Sequence, residues 1–177
     1  MSIQYAILGL LSWQPLTGYD IKKMFSDSTF LYWSGNNNQI YRTLVQLHKS
    51  GLVSREIQEQ ENLPDRKIYS ITDKGSKVLR DWVLSEPQVP QLRHPFLIQL
   101  AWADQLTDNE LENLLNRYQE ELEMQLLMVK EQTERKKSFP DRSARENKLW
   151  STISENWIRF YSNELIWLAD LRKNLSA

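Results

Sequence analysis

Residues 35–53 read GNNNQIYRTLVQLHKSGLV. Ile40, Leu44 and Leu47 recur at steps of four and three, the spacing that lines one side of an α-helix. Ser50-Gly51 stops the pattern, and Leu52-Val53 opens a different one. With about 100° of turn per residue and Ile40 set at zero, Leu44 and Leu47 fall within about 40° of it. Asn38, Arg42, Val45 and Lys49 fall on the far side, flanked by Gln39 and Gln46. A helix that buries one stripe and turns short amides and an arginine outward has two readings. One is a solvated surface. The other is a helix that enters the DNA major groove, where Asn or Gln pairs with adenine and Arg with guanine. The helix alone does not choose between them.

The flanking sequence narrows the choice. Residues 3–12, IQYAILGLLS, are apolar on most sides and end before Pro15, as a buried helix does. Thr17 is an N-cap residue for a second helix carrying Ile21, Met24 and Phe25. A short aromatic connector, TFLYWSG, follows and is expected to be anchored by Phe30 and Trp33. After the quoted helix the period drops to 2. Val53, Arg55 and Ile57 alternate with Ser54, Glu56 and Gln58, and RKIYSIT continues in the same way after the turn residues ENLPD. This predicts a β-hairpin. A helix capped by Thr72-Asp73 then carries Val78, Leu79, Trp82 and Val83.

PQVPQLRHP, with three prolines in nine residues, breaks every period and marks a boundary. Beyond it the pattern is helical throughout. A short apolar helix begins at Phe96. Thr107 with Glu110 forms a capping box for a helix striped by Leu111, Leu115, Tyr118, Leu122, Leu126 and Val129. SFPDRS interrupts, and a last helix over about 143–175 carries Trp150, Ile153, Trp157, Phe160, Trp167, Leu168, Leu171 and Leu175. The expected fold is mainly α. Residues 1–85 form a winged helix-turn-helix with a small hairpin wing, 86–95 a Pro-rich linker, and 96–177 a helical dimerisation domain.

Composition removes other classes. The 177 residues are 41% hydrophobic with net charge −1, a globular chain without an overall basic signature. Residues 1–85 hold 10 Lys/Arg against 8 Asp/Glu, and the rest 12 against 15, an asymmetry too small to argue for a polyanion partner by itself. No cysteine is present, which excludes disulfides and thiolate metal sites. The two histidines, His48 and His94, lack the i+3 or i+4 ligand partners of a zinc site. Gly-rich phosphate loops, nucleophile elbows and HExxH are missing. The expectation is therefore a protein that is not an enzyme and uses neither metal nor cofactor. The apolar N-terminus has no basic residue before it, and no run approaches the ~20 residues that span a bilayer. A soluble cytoplasmic protein without membrane contact is expected.

The order helix, helix, helix, hairpin turns the reading of residues 35–53 toward DNA. Arg66 and Lys67 start the second strand of the hairpin, Lys74 lies just past its end, and Lys22 and Lys23 sit on the second helix. Such positions approach phosphates, which fix register without reading sequence. Glu56, Glu59 and Glu61 make the wing tip itself a poor DNA contact.

ILGLLSWQPLTGYDIKKMF, NQIYRTLVQLHKSGLVSRE and RKIYSITDKG resemble, in order and spacing, three signature blocks of the PadR family of bacterial transcriptional regulators. Gln39-Ile40-Tyr41 and the pattern Lys67-x-Tyr69-x-x-Thr72-x-x-Gly75 carry that resemblance. Residues from Phe96 on resemble, by helix pattern, the longer C-terminal domain of the virulence-activator-type subgroup, which includes phenolic-acid-responsive regulators. The resemblance implies a dimeric DNA-binding regulator whose C-terminal helices dimerise, with Tyr19, Tyr41 and Lys67 on the DNA backbone. It leaves room for a small aromatic effector. The acidic wing loop and the Asn36-Asn37-Asn38 run depart from the family pattern and bear on binding-site preference.

The expected base readers are Asn38, Gln39, Arg42 and Gln46. The expected phosphate contacts are Tyr19, Lys22, Tyr41, Arg66, Lys67 and Lys74. Trp150, Ile153, Trp157, Phe160 and Leu168 are the expected dimer interface, since aromatics at this spacing more often pack helices than line ligand clefts. Two-fold symmetry would call for double-stranded DNA with a near-palindromic operator. Repression by blocking promoter access is the expected mode. The alternative is a winged helix kept as a protein-interaction module, its DNA binding lost, which the near-neutral charge and acidic wing favour.

Overall fold

The computed structural model describes residues 3–27, 37–59, 65–90, 93–134 and 142–175. The aromatic connector with Phe30 and Trp33 lies outside them, as does most of the wing turn. The chain divides into two compact units, Met1–Pro87 and Gln88–Ala177.

In the first unit, helix α1 (Ile3–Leu11) is apolar almost all round and buries Ile3, Ile7, Leu8, Leu10 and Leu11. A two-residue strand, β1 (Leu16–Thr17), leads directly into α2 (Gly18–Ser26). The Thr17 hydroxyl accepts from the Asp20 amide at 3.1 Å while Asp20 Oδ2 accepts from the Thr17 amide at 3.0 Å, a complete capping box. Helix α3 (Asn37–Lys49) packs Ile40, Leu44 and Leu47 into the same core as Ile7, Leu8 and Ile21. Strands β2 (Val53–Gln58) and β3 (Arg66–Ile71) form the expected hairpin. Helix α4 (Asp73–Val83) follows, capped by the Thr72 hydroxyl.

The sheet has three antiparallel strands in the order β1-β3-β2, so the hairpin is not isolated. Leu16 pairs with Tyr69 and Thr17 with Ile68. Two residues give no readable alternation, which is why the sequence pointed to a two-stranded hairpin only.

The end of α3 is closed by backbone and wing together. Gly51 sits at φ 69°, a left-handed conformation that glycine adopts without the Cβ penalty. Leu52 N donates to Leu47 O at 2.9 Å and Gly51 N to His48 O at 3.0 Å, a Schellman motif. Three successive carbonyls, at 50, 51 and 52, are then taken by Thr72, the N-cap of α4 just past β3, and by Lys74 in the first turn of α4. Lys74 Nζ donates to Ser50 O at 2.9 Å, the Thr72 hydroxyl to Gly51 O at 2.8 Å, and Thr72 N to Leu52 O at 3.1 Å.

In the second unit, α5 (Pro95–Ala101) and a short 3-10 turn (Ala103–Gln105) precede α6 (Asp108–Glu134) and α7 (Ala144–Leu175). Thr107 and Glu110 cap α6 reciprocally, at 2.9 and 3.4 Å. Glu164 of α7 reaches Tyr118 of α6, and Arg172 reaches Glu112 and Asn116, so the start of α6 lies beside the end of α7 and the pair runs antiparallel. Phe96, Leu115, Leu122 and Leu168 form the core between them. Among the described residues no helix is long and apolar enough to cross a membrane.

Candidate nucleic-acid interface

Burial of Ile40, Leu44 and Leu47 to 4%, 0% and 3% exposure fixes which side of α3 meets solvent. Asn38, Arg42 and Gln46 are exposed on that outer side, and Gln39 is half-buried. Gln39, Arg42 and Gln46 also line a shallow cleft of about 380 Å³ with Thr43 and with Ile3 and Gln4 of α1. The start of α1 therefore borders the amide-and-arginine face, a neighbour that helical periodicity could not reveal.

Tyr19 and Tyr41 are exposed at 68% and 46%, unusual for aromatic side chains and suited to a surface that meets a polar backbone. Their elements are locked together at Gly18. A Cβ on Gly18 would lie 2.5 Å from Tyr41 Cε1, so only glycine lets the α2 N-terminus approach the Tyr41 ring this closely.

The cationic candidates differ in their engagements. Lys67 is exposed on β3 opposite Ile57. Arg66 is also exposed, but its Nη2 lies 3.7 Å from Asp20 Oδ2 on α2. Lys22 is half-buried on α2. Lys74 donates to the Ser50 carbonyl, which places a cation at the C-terminus of α3, where the helix dipole favours it. Asp20, despite burial that raises its pKa, is held below the usual carboxylate range by the Thr17 side-chain and backbone hydrogen bonds and by the nearby Arg66 and Lys23 charges.

The five expected interface residues of α7 separate in the structure. Ile153 and Phe160 are exposed at 43% and 39%. Trp157 is half-buried, with Phe160 and Tyr161 against its ring. Trp150 is half-buried under the Arg142 guanidinium, 4.5 Å from its ring centre. Leu168 is a correction. It is 1% exposed in the core that α7 shares with α6, and offers no surface to a second chain. At about 100° per residue it lies about 80° round the helix from Phe160, on the side of Ser154, Tyr161 and Leu165.

Sequence reasoning missed one polar cluster altogether. His94 Nε2 lies 3.1 Å from Glu164 Oε2, the Tyr118 hydroxyl donates to the same oxygen at 2.9 Å, and His94 Nε2 and the Tyr118 oxygen are 3.3 Å apart. Phe96 stacks on Tyr118 at 3.7 Å between ring centres. Burial, and then the hydrogen bond to Glu164 and its charge, raise the Tyr118 pKa, so the phenol stays protonated and remains a donor. Separations of 24, 46 and 70 residues left no local signal. Among the described residues no group of three or more His, Cys, Asp or Glu side chains is gathered as a metal ion requires.

Residues 7–81 match the profile of the transcriptional regulator PadR-like family, and residues 92–176 match that of the virulence activator alpha C-terminal domain. The negative transcriptional regulator PadR of Bacillus subtilis is 31% identical over 113 residues, which are 63% of this chain and 62% of that protein. The aligned part thus spans less than two thirds of that relative. In structure, B. subtilis PadR in complex with operator DNA is similar with a TM-score of 0.81 and 24% identity, over 96% of this chain and 95% of that one. The same regulator in complex with p-coumaric acid is similar with a TM-score of 0.80 and 22% identity, over the whole of both chains. These structural likenesses establish the fold, a winged helix followed by a helical C-terminal unit. The two family matches fall one in each unit and together take in nearly all of the chain, which belongs to the PadR-like family of transcriptional regulators.

Proposed function

We propose that this chain is a sequence-specific DNA-binding repressor that acts as a homodimer on a near-palindromic operator. The observation that carries this reading is the outer face of α3. Asn38, Arg42 and Gln46 stand exposed opposite a stripe that is at most 4% exposed, with Tyr19, Tyr41 and the wing cations around them. Asn38, Gln39, Arg42 and Gln46 read base edges. Tyr19, Lys22, Tyr41, Arg66, Lys67 and Lys74 hold the phosphates. In this reading residues 1–85 bind DNA, 86–95 link, and 96–177 dimerise.

Ile153, Phe160 and half-buried Trp157 give α7 an apolar stripe that a second copy would cover. Two-fold pairing would set two recognition helices on one side of the duplex, about one helical turn or a multiple of it apart. A small aromatic effector that releases the operator is supported by the B. subtilis relative, whose structure is known with p-coumaric acid.

Binding of the intact protein to DNA from upstream of its own coding sequence, with a salt series, tests the reading. Lys67→Ala should weaken binding to all sequences about equally and lower the slope of log affinity against log salt by about one. The competing reading, a protein-interaction module, draws on exposed Glu56 and Glu59 on and beside β2. Absence of any shift with upstream DNA at low salt would decide in its favour.

A further inference from the structure

Arg66 and Asp20 are 46 positions apart in sequence and belong to different elements, yet β1 brings them together. The β1–β3 ladder sets Thr17 opposite Ile68. Thr17 is also the N-cap of α2, so Asp20, in the first turn, stands beside the strand. Residue 66 lies two positions before Ile68 and points to the same face of β3. Its guanidinium Nη2 then comes to 3.7 Å from Asp20 Oδ2. The carboxylate does not swing freely, because the same oxygen accepts from the Thr17 amide at 3.0 Å and from the Thr17 hydroxyl at 2.6 Å. Lys23 adds a second cation nearby. Arg66 remains half-exposed, with its side chain at 50%.

We propose that Asp20 is a built-in competitor for Arg66: it holds the guanidinium in the free protein, yields it only to a DNA phosphate, and so restrains binding to DNA of arbitrary sequence. The proposal rests on the reading of Arg66 as a phosphate contact. At 3.7 Å the ion pair is loose, whereas a phosphate can take a guanidinium through two short parallel hydrogen bonds. A well-placed phosphate therefore wins the exchange, and a poorly placed one does not. The carboxylate left behind keeps its charge beside the DNA, offset only in part by Lys23, a repulsive element of the kind that separates right from wrong partners. Asp20 acts through Arg66 and is a positioning residue. The capping box explains why the acid is fixed in place. The strand pairing explains why it meets this arginine and not the lysines of α2 alone.

The test uses the full-length protein and a short duplex of random sequence, with affinity followed by fluorescence anisotropy over a salt series. Asp20→Asn removes the charge and keeps an oxygen for the Thr17 amide, and Asp20→Ser is a second neutral variant. Each should tighten random-sequence binding about two- to fivefold, the range of an exposed ion pair. Each should also steepen the salt slope by up to about one, as one more free cation does. Asp20→Glu, which keeps the charge, should return both values to those of the native protein. In an Arg66→Ala background the neutral variants should lose most of that gain. A gain of equal size with and without Arg66 overturns the proposal, since Asp20 would then act only as a distant charge, and so does no gain at all. If Arg66→Ala leaves affinity unchanged in every background, Arg66 is no phosphate contact, and the underlying reading falls with the proposal.

Discussion

Around α1, α2, α3 and the sheet, side chains such as Ile7, Leu8, Ile21 and Leu44 are wholly withdrawn from water. The 27- and 32-residue helices α6 and α7 are far longer, yet their buried side chains are Leu115, Leu122, Val129, Ser154 and Leu168. On the same two helices Leu127, Leu149, Ile153 and Ile166 are exposed at 57%, 57%, 43% and 61%. The first unit thus closes a core of wholly buried side chains within its own chain, while Val45, Ile57, Trp82, Val83 and Leu84 stay exposed on it. The second has a thin seam and surplus apolar surface. Helices of that length with that surface are stable when a further element covers it.

This contrast is open to attack by mutation, beginning with the largest effect. Leu44→Ala removes a wholly buried side chain from the core of the first unit and should cost about 2–5 kcal/mol of stability. In a urea titration that loss should not vary with protein concentration. Ile153→Glu should do the opposite. The residue is exposed in one chain, so helicity should persist, while the proposed dimer weakens by about 1.5–3 kcal/mol, roughly ten- to a hundredfold in dissociation constant. Sedimentation at micromolar concentration reads this directly, and a native protein that sediments as a monomer would end the dimer model. Arg42→Ala should leave both cores intact and cost about 1–3 kcal/mol on the specific DNA site, with relaxed preference there. A titration with unchanged specific affinity would remove Arg42 from the base readers. The smallest effect is expected for Tyr118→Phe, which deletes the donor to Glu164 and should lower stability by about 1 kcal/mol, seen in thermal unfolding of the C-terminal unit.

Legibility in the sequence followed range. The α3 stripe, the Ser50-Gly51 stop, the Thr17 and Thr72 caps and the Thr107–Glu110 box were all readable, because the residues that cause them lie within about one helical turn of each other. What escaped involves partners far apart in the chain. β1 is two residues long and exists only because β3 is there to pair with it. The His94–Tyr118–Glu164 cluster draws one member each from the segment before α5, from α6 and from α7. Leu168 turns to the core of its own chain and not to a partner, because α7 has apolar residues on two adjoining sides and the sequence does not say which side its own chain claims. The same ambiguity did not arise on α3, where the outer face is polar.

The carbonyls at 50, 51 and 52, taken by Thr72 and Lys74 where β3 passes into α4, have a mechanical consequence. Two parts joined by one bond pivot more readily than two parts joined at three adjacent points. The C-terminal end of α3 is therefore tied at three successive carbonyls to the segment where β3 passes into α4, which resists a tilt of α3 against it. In the proposed dimer, a signal that moved each winged-helix head as a whole would change the spacing between the two heads.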